Sequence, residues 1–258
     1  MPEYDTFILD ERDDGVAVVT MNRPDKMNAM SPTFFRELIA IMEHLDASDD
    51  VTAAIITGAG KAFSAGGDIA SFAELKDMRA YRRQLRLVYD AFHRVERAEV
   101  PVVGAINGVA FGGGTELTLA CDLAIASDRA RFAFKEPTVG LMPGYGVIRG
   151  PDIIGKRATR YLAMTGRDVD AVRAREMGLV DEVVPHDELM DAALSLAGEL
   201  SANAPLGVRV AKQFINRDQD APGVPESIEA TALLFATDDH KEGVAAFLEK
   251  RDAEFEGK

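Results

Sequence analysis

A single acidic residue interrupts an apolar, glycine-rich stretch of this chain. Residues 109–122 read VAFGGGTELTLACD, and Glu116 stands where a buried helix ordinarily carries alanine or leucine. An ionised carboxylate that is removed from water needs a partner or takes up a proton, and such groups collect at functional sites. Glu116 is therefore the first candidate for a residue that carries out chemistry.

The glycines before Glu116 predict a turn that leads from a strand into a helix. The apolar run 102–107 comes before them, and we expect the helix to begin near Gly113. The first amide groups of a helix have no partner inside it and favour negative charge nearby. A helix that merely packs tightly on a strand is the plainer interpretation. A dinucleotide-binding turn is disfavoured because the Gly-x-Gly-x-x-Gly spacing is absent from this turn.

A second glycine turn has the same character. Residues 57–69 read TGAGKAFSAGGDI and place Gly66 and Gly67 after an apolar run. If one amide from each turn pointed at the same oxygen, the two would form an oxyanion hole, which stabilises negative charge that develops in a transition state. The sequence alone does not bring the turns together, so an ordinary loop stays an alternative for each.

Composition and charge exclude several classes of function. The chain has 258 residues, is 47% hydrophobic and carries 43 acidic against 29 basic residues, a net charge of -14. It can bury a large core, and it lacks the basic face that nucleic acid or an anionic membrane attracts. The basic cluster at 79–86 is interpreted as a solvated helix face, with a nucleic-acid patch as the weaker alternative. We predict neither a nucleic-acid nor a membrane partner.

The termini and the cysteine content bear on the compartment. Cys121 is the only cysteine, so no internal disulfide can form. The acidic start of the chain does not resemble a signal peptide, and no apolar stretch approaches the about 18 residues that span a bilayer. These features predict a soluble cytoplasmic protein. The four histidines lie in charged contexts, so we expect them at the surface and predict no metal site.

The pattern of elements changes along the chain. Short β-branched runs at 16–21 and 53–57 alternate with helical stretches such as 32–45, which predicts stacked β/α units. Beyond about residue 156 the pattern is mostly helical, with predicted helices over 170–178 and 187–201. We expect an α/β core followed by a helical C-terminal part.

Five segments together resemble the crotonase superfamily, the enoyl-CoA hydratase/isomerase family: NRPDKMNAM at 22–30, KAFSAGGDI at 61–69, GAINGVAFGGGTELTLACD at 104–122, FAFKEPTVGLMPG at 132–144 and FLEKR at 247–251. The resemblance implies an α/β superhelix of repeated ββα units over residues 1–195. It also implies a helical C-terminal trimerisation region over residues 196–258, and hence a homotrimer or a hexamer made of two trimers.

The resemblance also assigns roles to single residues. It implies that the amides of Gly67 and Gly113 bind the thioester oxygen of an acyl-CoA and that Glu116 and Glu136 are catalytic. The acyl-CoA is then the substrate, and no separate cofactor is expected. Residues that match positions of the family contacting substrate or coenzyme A are Met27, Ala65, Asp68, Ile69, Lys212, Phe247 and Lys250, the last ones reaching the nucleotide in part from a neighbouring subunit.

Hydration of a 2-enoyl-CoA is the reaction that the resemblance favours, because both glutamates are present. Glu116 would position and deprotonate the water, and Glu136 would exchange the proton at C2. Another reaction of the family on the same enolate stays open, namely double-bond isomerisation, thioester hydrolysis or decarboxylation, as does a non-catalytic assembly or RNA-binding role. The bulky Tyr145 and Val147 depart from the family pattern, and we expect them to shape the acyl pocket.

Overall fold

A computed structural model describes residues 3–73, 75, 77–216 and 224–255. The strands are β1 (Phe7–Glu11), β2 (Val16–Met21), β3 (Ala53–Gly58), β4 (Ala62–Ser64), β5 (Val102–Ile106), β6 (Val109–Phe111), β7 (Leu123–Ser127), β8 (Arg131–Ala133), β9 (Val169–Asp170) and β10 (Glu182–Val184). The helices are α1 (Pro32–Asp46), α2 (Ile69–Ala73), α3 (Met78–Arg97), α4 (Gly113–Ala120), α5 (Gly146–Ile153), α6 (Gly155–Thr165), α7 (Ala171–Glu176), α8 (Leu189–Ser201), α9 (Pro205–Ile215), α10 (Val224–Phe235) and α11 (Asp238–Glu249).

The strands form two sheets between which the chain alternates. A six-stranded sheet has the order β1-β2-β3-β5-β7-β10, with every neighbour parallel except β1, which runs antiparallel to β2. A four-stranded sheet has the order β4-β6-β8-β9. Its strands β4, β6 and β8 come directly after β3, β5 and β7 of the large sheet. A strand in each sheet followed by a helix is the ββα repeat, so the predicted crotonase-like fold is confirmed.

The large sheet is covered on both faces, which explains why its central strands are apolar throughout. Every residue of β5 is buried, and so are the first five of β3. One face packs against α1, α3 and the small sheet in the main core. The other face packs against α8, where Ala193 and Ala197 meet Ile55 and Val103. Parallel sheets that are buried in this way lose the alternating pattern of half-exposed strands.

Helix α8 bears on the predicted domain boundary. The division that we placed between residues 195 and 196 falls inside α8, which runs to Ser201 and packs against the sheet on both sides of that point. The α/β core therefore extends to Ser201. The helical prediction for the C-terminal part is confirmed, since α9, α10 and α11 follow.

The C-terminal helices α10 and α11 pack on their own chain. Helix α10 lies along α3, where Phe235 stacks on Tyr81 with ring centroids 4.1 Å apart. Helix α11 packs on the 3-10 turn at Glu136–Val139, and Nδ1 of His240 is 2.7 Å from the carbonyl oxygen of Val139. His240 is buried, so the prediction that every histidine lies at the surface was wrong.

Most predicted elements match the structure closely. Strand β2 and the start of α4 at Gly113 coincide with the predictions, and α1 is one residue longer at its C-terminal end. Ser31 caps α1 by accepting a hydrogen bond from the amide of Phe34, and Pro32 follows at the first helical position. In the described part of the chain, no helix is long and apolar enough to cross a membrane. No cluster of three or more potential metal ligands occurs there either.

Candidate functional site

The two glycine turns meet in space. A Cβ atom added to Gly113 would lie 3.8 Å from the amide nitrogen of Gly67. A Cβ on Gly66, whose φ is +92°, would lie 2.6 Å from the carbonyl oxygen of Phe111 and 3.2 Å from the amide nitrogen of Gly113. Only glycine fits this contact, because any side chain would clash with the opposite turn. The contact brings together the two turns that the sequence could not relate.

Both turns present an amide with no partner. The amide of Gly113 opens α4, where a helix has no internal acceptor. The backbone groups on either side of the Gly67 amide already form hydrogen bonds, because the carbonyl of Gly66 accepts from the amide of Met30 and the amide of Asp68 donates to the carbonyl of Met30. Within the described residues, the amides of Gly67 and Gly113 donate no hydrogen bond. Two adjacent free donors can therefore bind one oxygen of a ligand.

Glu116 is buried in the first turn of α4 and is held by a second helix. Its Oε1 accepts hydrogen bonds from the amides of Tyr145, at 3.0 Å, and Gly146, at 2.9 Å, where α5 begins. Burial raises the pKa of Glu116, and these two amide bonds oppose the rise because they stabilise the charged form. Amide dipoles thus replace the water that this carboxylate lost when the chain folded.

Glu136 lies on the opposite side of the same cleft and has less support. It opens a 3-10 turn after β8, and its Oε2 is buried without a hydrogen-bond partner. Burial and the charge of Glu116 raise the pKa of Glu136 well above its usual value. Because Glu116 has two amide bonds that oppose the rise in its pKa, Glu136 is the acid that keeps its proton to the higher pH.

A buried threonine fixes the two glutamates relative to each other. Thr115 donates to the carbonyl of Ala110 or of Ala133, and it accepts from the amide of Ala133 at 3.2 Å. The amide of Gly112 donates to the carbonyl of Ala133 at 2.8 Å. These bonds tie the start of α4 to the end of β8, three residues before Glu136. A Cβ on Gly112 would lie 2.7 Å from Oε1 of Glu136, so this glycine makes room for the carboxylate.

The glutamates and the free amides face one small cavity. It has a volume of about 80 Å³ and contains Gly67, Gly113, Glu116 and Glu136 in its wall. The other lining residues are mostly apolar: Phe35, Phe72, Tyr81, Leu85, Val88, Leu141, Met142, Gly144 and Thr231. A larger cavity of about 550 Å³ lies elsewhere, past the C-terminal end of α4, and contains none of these groups. The smaller cavity is the candidate site because the chemically capable groups converge there.

Four of the residues predicted to contact substrate or coenzyme lie beside the Gly66–Gly67 turn. The amide of Ala65 donates to the carbonyl of Met27 at 2.9 Å, and Met27 is 42% exposed. Asp68 forms an ion pair with Arg23 at 3.0 Å, and Ile69 begins α2. These residues form one edge of the cleft, next to the amide of Gly67.

The other three predicted contact residues lie apart from the cavity. Lys212 is buried, with Nζ 2.7 Å from Oδ2 of Asp122 and within 3.1 Å of two carbonyl oxygens. These bonds use the three donors of its ammonium group inside the fold, and the predicted contact of Lys212 with the coenzyme stays a prediction. Phe247 and Lys250 are exposed at the end of α11, and neither lines the cavity.

Two expectations for the acyl pocket were wrong. The ring of Tyr145 packs against Tyr89 and Phe92, and Val147 lines a separate surface depression near Met164, so neither side chain faces the cavity. Tyr145 matters through its backbone amide, which holds Glu116. The sequence signal for this was available, because PGYG after a buried glutamate could have been interpreted as a helix start that offers amides.

Comparison with known proteins agrees with this geometry. The family model described as enoyl-CoA hydratase/isomerase matches residues 11–258. A short-chain-enoyl-CoA hydratase from Clostridium acetobutylicum is 38% identical over 258 residues, with 98% of each chain covered. A 2,3-dehydroadipyl-CoA hydratase from Escherichia coli is 33% identical over 97% of this chain and 99% of its own. The crystal structure of carnitinyl-CoA hydratase from Mycobacterium avium superposes with a TM-score of 0.89 at 31% identity, covering 99% of this chain and 100% of that one.

Proposed function

Because the chain belongs to the enoyl-CoA hydratase/isomerase family, we propose that it hydrates 2-enoyl-CoA thioesters to 3-hydroxyacyl-CoA. The observation that carries the proposal is the convergence of two free amides and two buried glutamates on one cavity. Hydration needs a site for the charge of an enolate, a base for water and an acid for C2, and the cavity wall offers a group for each. The reaction requires no other cofactor.

The amides of Gly67 and Gly113 act on the thioester oxygen. When water attacks C3, the electrons of the double bond move toward the carbonyl and leave negative charge on that oxygen. Preorganised amides stabilise such charge without having to reorient, and loss of one donor of this kind costs about 10² to 10³ in rate. The N-terminus of α4 adds the favourable end of its dipole at the same place.

The two glutamates divide the proton transfers. Glu116, ionised and fixed by two amides, accepts a proton from the water that attacks C3. Glu136, which keeps its proton to the higher pH, gives it to C2 as the enolate collapses. The proton that Glu116 has taken then restores Glu136 for the next turnover. This division follows from their different support, because two backbone amides hold Oε1 of Glu116, whereas Oε2 of Glu136 has no hydrogen-bond partner in the described residues.

The size of the cavity favours short acyl groups. The cavity has a volume of only about 80 Å³, and large apolar side chains line it. A four-carbon chain such as crotonyl fits this volume better than a medium or long chain. Met27, Ala65, Asp68 and Ile69 would then lie along the coenzyme, which leaves the cavity past the Gly67 turn.

We also propose that the chain assembles as a trimer or a pair of trimers. Helix α9 exposes Leu206, Val210, Phe214 and Ile215, and α10 and α11 expose Leu233, Phe247 and Leu248. An apolar surface of this kind marks an interface in proteins that function in water. Phe247 and Lys250 would reach the coenzyme of a neighbouring subunit. Light scattering tests this proposal, and an active monomer at micromolar concentration would disprove it.

The test of the reaction uses a panel of trans-2-enoyl-CoA esters with four, eight and sixteen carbons in deuterated water. Loss of the enoyl-thioester absorbance and a 3-hydroxyacyl-CoA product with one deuterium at C2 are expected, fastest for the four-carbon ester. A product with only a shifted double bond, or free acid, would replace hydration by isomerisation or thioester hydrolysis.

A further inference from the structure

Tyr81 is a buried tyrosine whose ring is fixed from two sides. It lies in the first turn of α3 and is only 2% exposed. Phe235 of α10 stacks on its ring at 4.1 Å with an interplanar angle of 13°, and Phe72 meets it edge-on at 6.2 Å. The direction of the phenol oxygen is therefore set by packing and does not depend on a hydrogen bond of its own.

The hydroxyl of Tyr81 forms no hydrogen bond in the part of the chain that the structure describes. Another tyrosine of the same helix shows what a satisfied hydroxyl looks like, because Tyr89 bonds to Ser227 of α10. Tyr81 lines the cavity that contains Glu116 and Glu136, and Tyr89 does not. A hydroxyl that is not used inside the fold and belongs to a residue of the cavity wall is available as a donor to a ligand.

The chemistry of the cavity narrows the choice of that partner. Burial and the charges of Glu136 and Glu116 raise the pKa of Tyr81, so the phenol stays protonated and acts as a donor. The nearby carboxylates disfavour an anionic ligand group at this place. A neutral oxygen acceptor remains. In the proposed reaction the thioester oxygen belongs to the amides of Gly67 and Gly113, and the other oxygen is the attacking water, which becomes the 3-hydroxyl group.

We propose that Tyr81 is a third catalytic side chain, which donates a hydrogen bond to the oxygen that adds to C3. The inference rests on the proposed hydration and deepens it. Tyr81 holds the water on the side opposite Glu116, so that the lone pair freed by the proton transfer points at C3. In the product the same bond goes to the 3-hydroxyl oxygen. No bond to the protein is formed or broken, and the phenol keeps its proton throughout.

A binding comparison tests this role without turnover. Affinities of wild type and Tyr81→Phe are measured by calorimetry for 3-hydroxybutyryl-CoA and for butyryl-CoA, which lacks only the hydroxyl. We expect wild type to bind 3-hydroxybutyryl-CoA more tightly than butyryl-CoA. In Tyr81→Phe the ratio of the two affinities should fall about tenfold, which corresponds to the free energy of one hydrogen bond. Affinity for butyryl-CoA should stay unchanged, because the ring that stacks on Phe235 is kept.

Turnover of crotonyl-CoA gives the second readout. Tyr81→Phe should lower kcat by about 10- to 100-fold, and Tyr89→Phe, which removes a buried hydroxyl from the same helix outside the cavity, should leave kcat near that of wild type. Circular dichroism checks the fold of both variants. Equal changes in affinity for the two esters, or an unchanged preference, would overturn the role of Tyr81. If wild type fails to hydrate any enoyl-CoA, the proposed function falls by itself, and the binding comparison still decides whether Tyr81 recognises the 3-hydroxyl group.

Discussion

Acidic side chains lie near both ends of helix α4, and their surroundings differ at the two ends. At its N-terminal end, Glu116 and Glu136 form no salt bridge with any residue that the structure describes, and we call these two residues the cleft pair. Past its C-terminal end, Glu96 pairs with Arg149 at 2.7 Å and Asp122 pairs with Lys212 at 2.7 Å; we call these four residues the paired cluster. The same helix thus separates acids that can keep a proton from acids that are neutralised by a partner.

On the proposed mechanism, the difference explains why the cleft pair is the better suited to proton transfer. Burial raises the pKa of Glu96 and of Asp122 as well, but the cation beside each of them opposes the rise because it stabilises the carboxylate. A buried carboxylate without a cation has its pKa raised by burial, which brings proton exchange into the working range of pH. Helix α5 serves both ends, because its first amides hold Glu116 and its Arg149 holds Glu96.

The largest expected effect comes from altering the cleft pair. Glu116→Gln and Glu136→Gln should each lower kcat for crotonyl-CoA by about 10² to 10⁴, since each removes a general acid or base. The effects should not add in the double variant, because the two acids act on one water. Steady-state kinetics on the two variants and their combination measures this. An active Glu116→Gln variant would assign the chemistry to Glu136 alone and favour an isomerase.

Altering the paired cluster should change stability instead of chemistry. Lys212→Met removes the cation beside Asp122 and the donor to the buried carbonyl oxygens of Val95 and Val100, and buried acceptors left without a donor cost about 1 to 3 kcal/mol. Urea unfolding should show this loss, and kcat per folded molecule should stay near that of wild type. Lys241→Met is the matched control, since its pair with Asp238 is exposed and such pairs contribute about 1 kcal/mol or less. A large loss of kcat in folded Lys212→Met would show that the cluster takes part in catalysis.

Glu136→Gln should have a smaller effect on stability, which is opposite in sign to that of Lys212→Met and depends on pH. The pKa of Glu136 in the folded state is raised above the unfolded value of about 4.3, so the folded state loses stability as pH rises from there through the folded pKa. Glu136→Gln removes this loss. It should therefore be more stable than wild type at pH 8, by about 1.4 kcal/mol for each unit of pKa shift, and equal to it near pH 4.

The matched change at the other end is Glu96→Gln, which takes from Arg149 the nearer of its two carboxylate partners. Burial raises the pKa of Glu96 as well, but Arg149 opposes the rise, so Glu96→Gln should gain less stability between pH 4 and pH 8 than Glu136→Gln. Chemical denaturation at the two pH values measures both gains. An equal gain for the two substitutions would remove the contrast between the cleft pair and the paired cluster.

The sequence predicted the cleft better than the paired cluster. Glycine turns and an acid in an apolar helix are local signals, so the sequence alone was enough to propose Gly67, Gly113 and Glu116. The partners of those residues depend on long-range contacts, such as the 29 residues that separate Glu116 from the amide of Tyr145. Lys212 shows the same limit, because its match to a family position could not reveal that Asp122, on another part of the chain, takes its charge.

The sequence also did not predict which residues the C-terminal helices contribute to the cavity. Periodicity predicted helices there and assigned them to assembly, but a pattern of apolar residues does not say which face meets its own chain. In the structure α10 supplies Thr231 to the cavity wall and Phe235 to Tyr81, so this region belongs to the site as well.

The protonation state of the cleft pair tests the proposed roles most directly. Protein labelled with ¹³C at the glutamate side-chain carboxyl carbon is titrated by NMR, and Glu116→Gln, Glu136→Gln and Glu96→Gln assign the three buried signals. Burial raises the pKa of Glu116 to about 7 and that of Glu136 well above its usual value. We therefore expect one protonated carboxyl at pH 8, whose signal disappears in Glu136→Gln, while the signal of Glu116 is mainly that of a carboxylate. If every glutamate is ionised at pH 8 in the folded protein, the cleft holds no proton for C2, and the division of roles between Glu116 and Glu136 is wrong.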